Sequence, residues 1–228
     1  MTQSKNESNN YTITKEQTVF QGWGKVNNLE IKVGKNFDGS PGENITREVY
    51  QRGSGNVIGV LLYDPKSDNI ILVEQLRAGV LSAVKGNLSN FYASEMNPCC
   101  KEIVLGMIES DELPEQAAIR ESLEETGCEV LELSPIIKYF SSPGGITEYV
   151  HLYAGRVNTS VQNGEIHGNK EENEDIKVHV LPASEAIRLL YANQLNDGHT
   201  IIAIQWFATR RTDLRSKWLV KDVGTSII

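Results

Sequence analysis

The sequence predicts an α+β fold in which a mixed β-sheet lies between helices as an α/β/α sandwich, preceded by a small antiparallel sheet. The first observation is a pair of apolar runs, Asn56 to Tyr63 and Asn69 to Leu76, joined by a segment rich in Asp, Pro and Ser. Such a pair is typical of a hairpin of core strands. The second observation is that strand-like and helix-like segments alternate irregularly after residue 100. This alternation favours a sheet with helices on its faces.

The N-terminal part of the chain has the pattern of short strands separated by turn residues. Thr18 to Trp23, Leu29 to Val33 and Ile45 to Gln51 are the predicted strands of the small antiparallel sheet. The polar segment before them is predicted to be disordered. We therefore expect a tail over 1–10, an N-terminal β-sheet domain over 11–52 and a larger domain over 53–228.

The larger domain is predicted to contain further strands and two helices after the hairpin. Residues 81–98 have mixed polarity without a clear period, and we predict an irregular loop or insertion there. The remaining predicted strands are Lys101 to Leu105, Glu129 to Phe140, Tyr149 to Val157 and Ile176 to Leu181, and the predicted helices are Ala183 to Ala192 and Thr200 to Arg211.

Composition and charge exclude several classes of protein. The chain has 228 residues and a net charge of −8 without a clustered Lys/Arg stripe, which speaks against a nucleic-acid partner. No apolar stretch approaches the ~18–20 residues that cross a bilayer, and the N-terminus lacks an apolar signal core. The three cysteines form no metal-binding spacing and are expected to be reduced thiols. These features predict a cytoplasmic protein without a membrane partner.

The segment from Gly106 to Cys128 carries most of the chemistry. It reads GMIESDELPEQAAIRESLEETGC and places Glu121, Glu124 and Glu125 on one stretch of a predicted helix. Like charges four residues apart cost an isolated helix about 0.2–0.5 kcal/mol, so a bound cation would relieve them. Oxygen ligands alone favour Mg²⁺ or Mn²⁺ over zinc. Taken without the surrounding spacing, the three glutamates fit a solvated acidic face at least as well.

The wider spacing is more specific than the glutamates. Gly106, Glu112, the pair Arg120-Glu121, the pair Glu124-Glu125 and Gly127 stand at the charged and glycine positions of the Nudix box. The chain therefore resembles the Nudix hydrolases, which cleave a nucleoside diphosphate linked to another group. The resemblance implies the Nudix-type α/β/α sandwich and a box formed by a loop, a helix and a second loop.

The local chemistry of the box agrees with that arrangement. Pro114 suits the first turn of a helix, and Gly127 suits a left-handed C-terminal cap. Ser122 stands where the family prefers an apolar residue, and Asp111 stands where this subfamily often has glycine. Serine is small enough to pack beneath a helix, aspartate tolerates a positive φ, and Cys128 is expected to act as a small buried hydrophobe.

Segments outside the box resemble the ADP-ribose pyrophosphatase subfamily. They are SSPGGITE, with Pro143 fifteen residues beyond Cys128, together with FQGW, REVYQRG and EQLR. The resemblance implies that Trp23 stacks on adenine, that Arg52 and Arg77 bind the diphosphate, and that Glu148 lies beside the substrate. Considered alone, Trp23 fits a core position, and the two arginines fit surface ion pairs worth less than ~1 kcal/mol.

The resemblance also assigns roles to the acidic residues. It implies two or three Mg²⁺ ions held by Glu121, Glu125 and the backbone carbonyl of Leu105, with Glu124 assisting. It further implies that Arg120 pairs with Glu112 and holds the loop and the helix in register.

The acidic run at 171–175 would be read as a solvated loop if it stood alone. By resemblance, Glu172 is the general base and Glu174 an added metal ligand. The doubled acids leave the assignment among Glu171, Glu172 and Glu174 open.

The predicted reaction is hydrolysis of ADP-ribose to AMP and ribose 5-phosphate. The resemblance also implies a domain-swapped homodimer in which Trp23 or Arg52 completes the neighbouring pocket. Two alternatives stay open. One is a hydrolase of another nucleotide sugar such as GDP-mannose, and the other is a sensor that binds ADP-ribose without cleaving it.

Overall fold

The structure is a computed structural model that describes residues 10–86 and 97–224, with the side chains of residues 172 and 221–224 excepted. The chain forms two compact units. The first contains the described residues up to Asn56 and the segment Phe140–Tyr149, and the second contains Val57–Tyr139 and the described residues from Val150 onward. Most of the tail predicted to be disordered, residues 1–9, lies outside the described residues.

The first unit contains a three-stranded antiparallel sheet. Its strands are β1 (Tyr11–Gln21), β2 (Gly24–Val33) and β3 (Ile45–Arg52), and they lie in that order. The predicted small sheet is therefore confirmed, with longer strands than the sequence pattern indicated. The segment 141–148 adds to the free edge of β3, because the Tyr50 N–H donates to the Gly145 carbonyl at 2.8 Å.

The second unit is built on an eight-stranded sheet. The strand order is β10-β11-β5-β4-β9-β8, with β6 paired to β5 and β7 paired to β4. The strands are β4 (Asn56–Asp64), β5 (Asn69–Leu76), β6 (Cys99–Glu102), β7 (Val104–Met107), β8 (Glu132–Phe140), β9 (Tyr149–Arg156), β10 (Ile166–His167) and β11 (Ile176–Pro182).

The sheet is mixed, as predicted. Strands β4 and β5 form the expected antiparallel hairpin. Strand β9 runs parallel to β4, since the Tyr149 N–H donates to the Gly55 carbonyl at 2.7 Å and the Val157 N–H donates to the Tyr63 carbonyl at 3.0 Å. Between these two hydrogen bonds the residue number rises by eight along each strand, and only parallel strands advance in the same direction in this way.

Helices cover both faces of this sheet. They are α1 (Ala78–Lys85), α2 (Pro114–Thr126), α3 (Ala183–Tyr191) and α4 (Gly198–Gly224). Successive residues of β4 point to opposite faces. Leu61 and Tyr63 therefore join one buried cluster with α3 and α4, whereas Val60 and Leu62 join a second cluster with α2. The predicted α/β/α sandwich is confirmed by these two separate cores.

Two elements differ from the sequence predictions. The segment 81–85, predicted to be irregular, forms the last five residues of α1. This helix buries none of its residues, and its sequence AGVLSAVK is apolar or small almost throughout, so no polar face distinguishes it as a helix. The rest of that predicted loop is described only at residues 86, 97 and 98, because 87–96 lie outside the described residues. Helix α4 continues well past Arg211, because Leu214 and Trp218 extend its buried face.

Within residues 10–86 and 97–224, no helix is both long enough and apolar enough to cross a membrane.

Candidate active site

In the centre of the larger sheet, β4 and β5 separate, and the strand that leads into the site lies in the space between them. The end of β4 nearest the hairpin turn pairs with β5, but Val57 to Val60 pair instead with β7. The far end of β5, Val73 to Leu76, pairs with β6. Strands β6 and β7 therefore lie where β4 and β5 separate. This placement brings Leu105 and Gly106 to the middle of the sheet, directly before the loop that leads into α2.

Helix α2 begins and ends as its sequence predicts. Pro114 is the first helical residue, and Gly127 closes the helix with a φ of 69°. Asp111 in the preceding loop has a φ of 66°, which is the conformation that aspartate was expected to tolerate there. Ser122 is fully buried and donates its hydroxyl hydrogen to the Ala118 carbonyl at 2.6 Å. This hydrogen bond satisfies the polar atom that the apolar position would otherwise leave unpaired.

Arg120 joins the box loop to the helix. Its Nε and Nη2 donate to the two carboxylate oxygens of Glu112, each at 2.9 Å. Nη2 also donates to the Met107 carbonyl at 3.2 Å. The remaining nitrogen, Nη1, donates to Glu121 at 2.9 Å and to Glu124 at 3.3 Å. The hydrogen bonds that Arg120 donates to Glu112 raise the pKa of Arg120, so its positive charge is permanent at any physiological pH.

Gly106 makes room for the Glu121 carboxylate. A Cβ atom built at position 106 would overlap the terminal atoms of the Glu121 side chain. The glycine is therefore required by close packing and not by a positive φ, since its φ lies outside the left-handed region. The resulting contact holds Glu121 against the central strand β7.

The surroundings of Glu121 and Glu125 disfavour the ionised form of both carboxylates. Burial raises the pKa of Glu121 to about 7, against the attraction of Arg120, and the charges of Glu124 and Glu174 add to the rise. Glu125 is only 1% exposed, and burial followed by repulsion from Glu121 raises its pKa well above the usual range. Its Oε2 atom is buried and has no hydrogen-bond partner among the described residues. The helix therefore concentrates negative charge where little solvent reaches it.

The donor set fits a divalent cation that prefers oxygen. Glu121 and Glu125 offer carboxylate oxygens, one of them buried and unsatisfied, and a cation there would offset their mutual repulsion. No three Asp, Glu, His or Cys side chains converge on one metal-binding point within the described part of the chain. Within this region, the Glu121 carboxylate pairs with Arg120 at 2.9 Å.

The acidic segment 171–175 is brought close to the C-terminal end of α2. The Gly168 N–H donates to the Glu124 backbone carbonyl at 3.2 Å, which anchors the start of this loop on the helix. Glu174 accepts a hydrogen bond from the Asn169 N–H at 3.1 Å, and its charge raises the pKa of both Glu121 and Glu125. The structure thus brings the predicted ligand Glu174 into the electrostatic neighbourhood of the helix carboxylates.

The predicted base, Glu172, is described only by its backbone. It ends the short 3₁₀ helix Lys170–Glu172, and its side chain lies outside the described part of the structure. Glu171 is exposed. The choice among the three acidic residues stays a prediction.

Arg77 has a partner that the sequence analysis missed. Its Nε donates to Oε2 of Glu102 at 2.7 Å, its Nη2 lies 2.7 Å from the same oxygen, and the Glu102 side chain is only 4% exposed. Burial raises the pKa of Glu102 to about 7, and Arg77 acts in the opposite direction. The surface ion pair considered for Arg77 is wrong, because its partner is buried. The signal for Glu102 was an acidic residue that, with Lys101, interrupts the otherwise apolar run CCKEIVLG.

The remaining predicted substrate residues lie in the first unit. The Arg52 guanidinium carbon lies 4.1 Å from the centroid of the Trp23 ring, which is a cation–π contact. Trp23 is 75% exposed, so the alternative that places it in a core is wrong. Glu148 is half-buried, and its carbonyl accepts a hydrogen bond from the Ser141 N–H at 3.1 Å. These residues are presented by β3, by the turn between β1 and β2, and by the segment that follows Pro143.

Comparison with known families settles the class of this protein. The family described as NUDIX domain matches residues 54–204, which is more than half of the chain. The chain therefore belongs to the Nudix family, as the box predicted. Members of this family generally use divalent metal ions.

Three individual proteins are similar to this chain over most of its length. The chain is 37% identical to an ADP-ribose pyrophosphatase of Haemophilus influenzae over 206 residues, covering 90% of this chain and 89% of the relative. It is 30% identical to the ADP-ribose pyrophosphatase of Escherichia coli K12, covering 92% and 93%. A GDP-mannose pyrophosphatase of Escherichia coli SMS-3-5 is 34% identical, covering 72% and 78%.

A solved structure shares the fold. The crystal structure of an ADP compounds hydrolase aligns with a TM-score of 0.65 at 16% identity, covering 90% of this chain and 96% of that one.

Proposed function

We propose that this protein is a metal-dependent hydrolase that splits the diphosphate of ADP-ribose into AMP and ribose 5-phosphate. The observation that carries the proposal is the pair of carboxylates beside the central strand, of which Glu125 is buried with an unsatisfied oxygen and Glu121 is half-buried. Two relatives with this activity align over nine-tenths of the chain, which supports ADP-ribose as the substrate.

In the proposed reaction, a water oxygen forms a bond to one phosphorus atom, and the bond from that phosphorus to the bridging oxygen breaks. The bridging oxygen leaves with the other phosphate. Glu121, Glu125 and the Leu105 carbonyl would hold Mg²⁺ or Mn²⁺, with Glu124 and Glu174 in support. Two or three such ions would neutralise the charge that develops on the diphosphate. Arg120 keeps the loop at Glu112 in place and shares Nη1 between two box glutamates.

The proposed general base is Glu172, which would take the proton of the attacking water. Its place in the chain supports this role, because the segment that carries it begins with a hydrogen bond to the end of α2. Gln substitutions at 171, 172 and 174, tested separately, identify the base. The Glu172→Gln variant is expected to lose activity while it still binds metal. An active Glu172→Gln variant beside an inactive Glu174→Gln variant would shift the assignment to Glu174.

Substrate recognition is proposed to involve Trp23, Arg52, Arg77 and Glu148, as the resemblance implies. The cation–π pair of Trp23 and Arg52 offers an aromatic face and a guanidinium group to a nucleotide. We further propose a domain-swapped homodimer in which Trp23 or Arg52 completes the pocket of the neighbouring subunit. Light scattering that gives the mass of a monomer at micromolar concentration would contradict the proposed homodimer. The cytoplasmic location stays a prediction.

A second candidate is hydrolysis of GDP-mannose, which the 34% identity to a GDP-mannose pyrophosphatase favours. One panel of substrates tests both candidate functions. Purified protein is incubated with ADP-ribose, GDP-mannose, NADH and diadenosine polyphosphates in the presence of Mg²⁺, and products are separated by ion-exchange chromatography. We expect ADP-ribose to have the highest kcat/KM. A higher value for GDP-mannose would replace the first candidate with the second, and binding without turnover would favour a sensor.

A further inference from the structure

We propose that Glu102 is a positioning residue that fixes the guanidinium group of Arg77, so that the remaining donors of Arg77 can meet the diphosphate. This inference rests on the proposed function. Glu102 lies on β6 opposite Val73, and Arg77 follows β5 directly after Leu76. The two residues are therefore brought together by the pairing of β5 with β6 and not by proximity in sequence.

The contact between them leaves much of the guanidinium group available. Nε donates a hydrogen bond to Oε2 of Glu102 at 2.7 Å, and Nη2 forms an ion pair with the same oxygen at 2.7 Å. A guanidinium group has five N–H donors, so most of them are not used by the hydrogen bond to Glu102. The Arg77 side chain is 32% exposed, whereas that of Glu102 is 4% exposed. One edge of the guanidinium is thus fixed by a buried group, while the other donors can reach the oxygens of a phosphate.

The backbone that carries Glu102 is held firmly. The next residue, Ile103, donates its N–H to the Thr200 hydroxyl at 3.0 Å. Thr200 in turn donates its backbone N–H and its hydroxyl hydrogen to Asp197, each at 2.7 Å. Helix α4 therefore anchors β6 at the residue beside Glu102. A carboxylate on such a support can fix an arginine within a narrow range of positions.

A double-mutant cycle tests this role. Wild type, Glu102→Gln, Arg77→Ala and the double variant are compared for ADP-ribose kinetics and for Mn²⁺ binding without substrate, measured by electron paramagnetic resonance. In Glu102→Gln we expect KM to rise about tenfold to hundredfold, more than kcat falls, because a displaced arginine loses a contact made in the bound ground state. Mn²⁺ affinity should stay at the wild-type value, because the role concerns the diphosphate and not the metal.

The double variant separates positioning from a general structural defect. Without Arg77 there is no guanidinium group for Glu102 to hold, so KM should match that of Arg77→Ala alone. A wild-type KM in Glu102→Gln, a KM that rises additively in the double variant, or a fall in Mn²⁺ affinity in Glu102→Gln would each overturn the inference. If wild type fails to hydrolyse ADP-ribose, the proposed function is lost, and the KM values for the diphosphate of the panel that is hydrolysed still test the inference.

Glu74→Gln is the matched control. Glu74 is a partly buried carboxylate on β5, where it pairs with His179 at 2.7 Å and with Lys101 at 3.8 Å. Its variant is expected to keep wild-type KM and Mn²⁺ affinity. If Glu102→Gln does not fold by circular dichroism, Glu102→Asp takes its place, because it keeps the charge but withdraws the oxygen from Arg77. A folded Glu102→Asp variant with wild-type KM would also overturn the inference.

Discussion

Arg120 binds Glu112 through two parallel hydrogen bonds of 2.9 Å, from Nε to Oε1 and from Nη2 to Oε2. The two residues are eight positions apart, one in the loop before α2 and the other in the middle of the helix. Glu112 also accepts the Glu109 N–H at 3.1 Å, so the same carboxylate fixes the loop backbone. The pair therefore sets the distance between the strand that ends at Met107 and the helix that carries the box glutamates.

Replacing Arg120 by lysine is expected to break this arrangement. A lysine ammonium cannot make two parallel bonds to one carboxylate. We expect a loss of about 1 kcal/mol in the free energy of unfolding, measured in urea, because the arginine side chain is 28% exposed and solvent weakens the pair. Activity should fall more than stability, since Glu121 loses its hydrogen bond from Nη1. Wild-type activity in Arg120→Lys would show that the box does not depend on this pair.

The Glu125→Gln variant is expected to lower kcat by about 10²–10³-fold while the protein stays folded. Glu125 is 1% exposed, and burial and the charge of Glu121 already disfavour its ionised form, so a neutral amide costs little and the melting temperature should stay constant or rise. The control is Glu129→Gln, an exposed glutamate just beyond the helix. Near-normal turnover in Glu125→Gln would discard the proposed metal site.

Adding one methyl group at Gly106 is expected to displace Glu121. A Cβ there would occupy the position of the Glu121 carboxylate, which must then move away from β7. We expect Gly106→Ala to lose activity and to bind Mn²⁺ more weakly in a titration. Gly79→Ala is the control, because a Cβ at that position meets nothing within 4 Å and alanine favours the α1 helix. Equal activity of the two variants would contradict the packing argument.

Asp68 is expected to make stability depend on pH in the acid range. Burial alone would raise the pKa of Asp68, but the hydrogen bonds from Arg211 and from the Tyr63 hydroxyl lower it below the ordinary value of 3.8. The folded state therefore binds fewer protons than the unfolded state near that pH. The contribution of Asp68 is fully present above about pH 4 and is lost as the pH falls through its folded-state pKa.

Asp68→Asn removes this contribution to stability without straining the backbone, because asparagine also tolerates the φ of 59° at this position. Unfolding in urea between pH 5 and pH 2.5 should show the wild type losing its advantage over the variant as the pH falls. A constant difference between the two proteins over that range would rule out the predicted linkage.

Trp23→Ala is expected to raise KM for ADP-ribose with a smaller change in kcat, because stacking on the adenine contributes to binding and not to the bond that breaks. Trp23 is 75% exposed, so stability should change by less than about 0.5 kcal/mol. Phe37→Ala serves as the control, since Phe37 is fully exposed in the same unit. Unchanged KM in Trp23→Ala would remove the proposed adenine contact.

The sequence was sufficient where local pattern alone decides structure. The hairpin of β4 and β5 follows from two apolar runs and a turn rich in breakers. The ends of α2 follow from Pro114 and Gly127, whose backbone preferences act within one turn of the helix. The spacing of the box glutamates also predicted which face of that helix carries the charge.

Tertiary structure decided what local pattern does not encode. Helix α1 buries no residue, so a short window of sequence does not show where it begins. Helix α4 extends along a core that other elements complete, so such a window does not show where it ends. The pairing of β5 with β6 joins Arg77 to Glu102 across 25 residues, and the burial of Glu125 depends on the sheet beneath α2. The physical reason is that charges interact through space and through the solvent excluded around them. The sequence by itself determined which chemical groups this protein carries, whereas only the folded chain decided which of them share a low-dielectric surrounding.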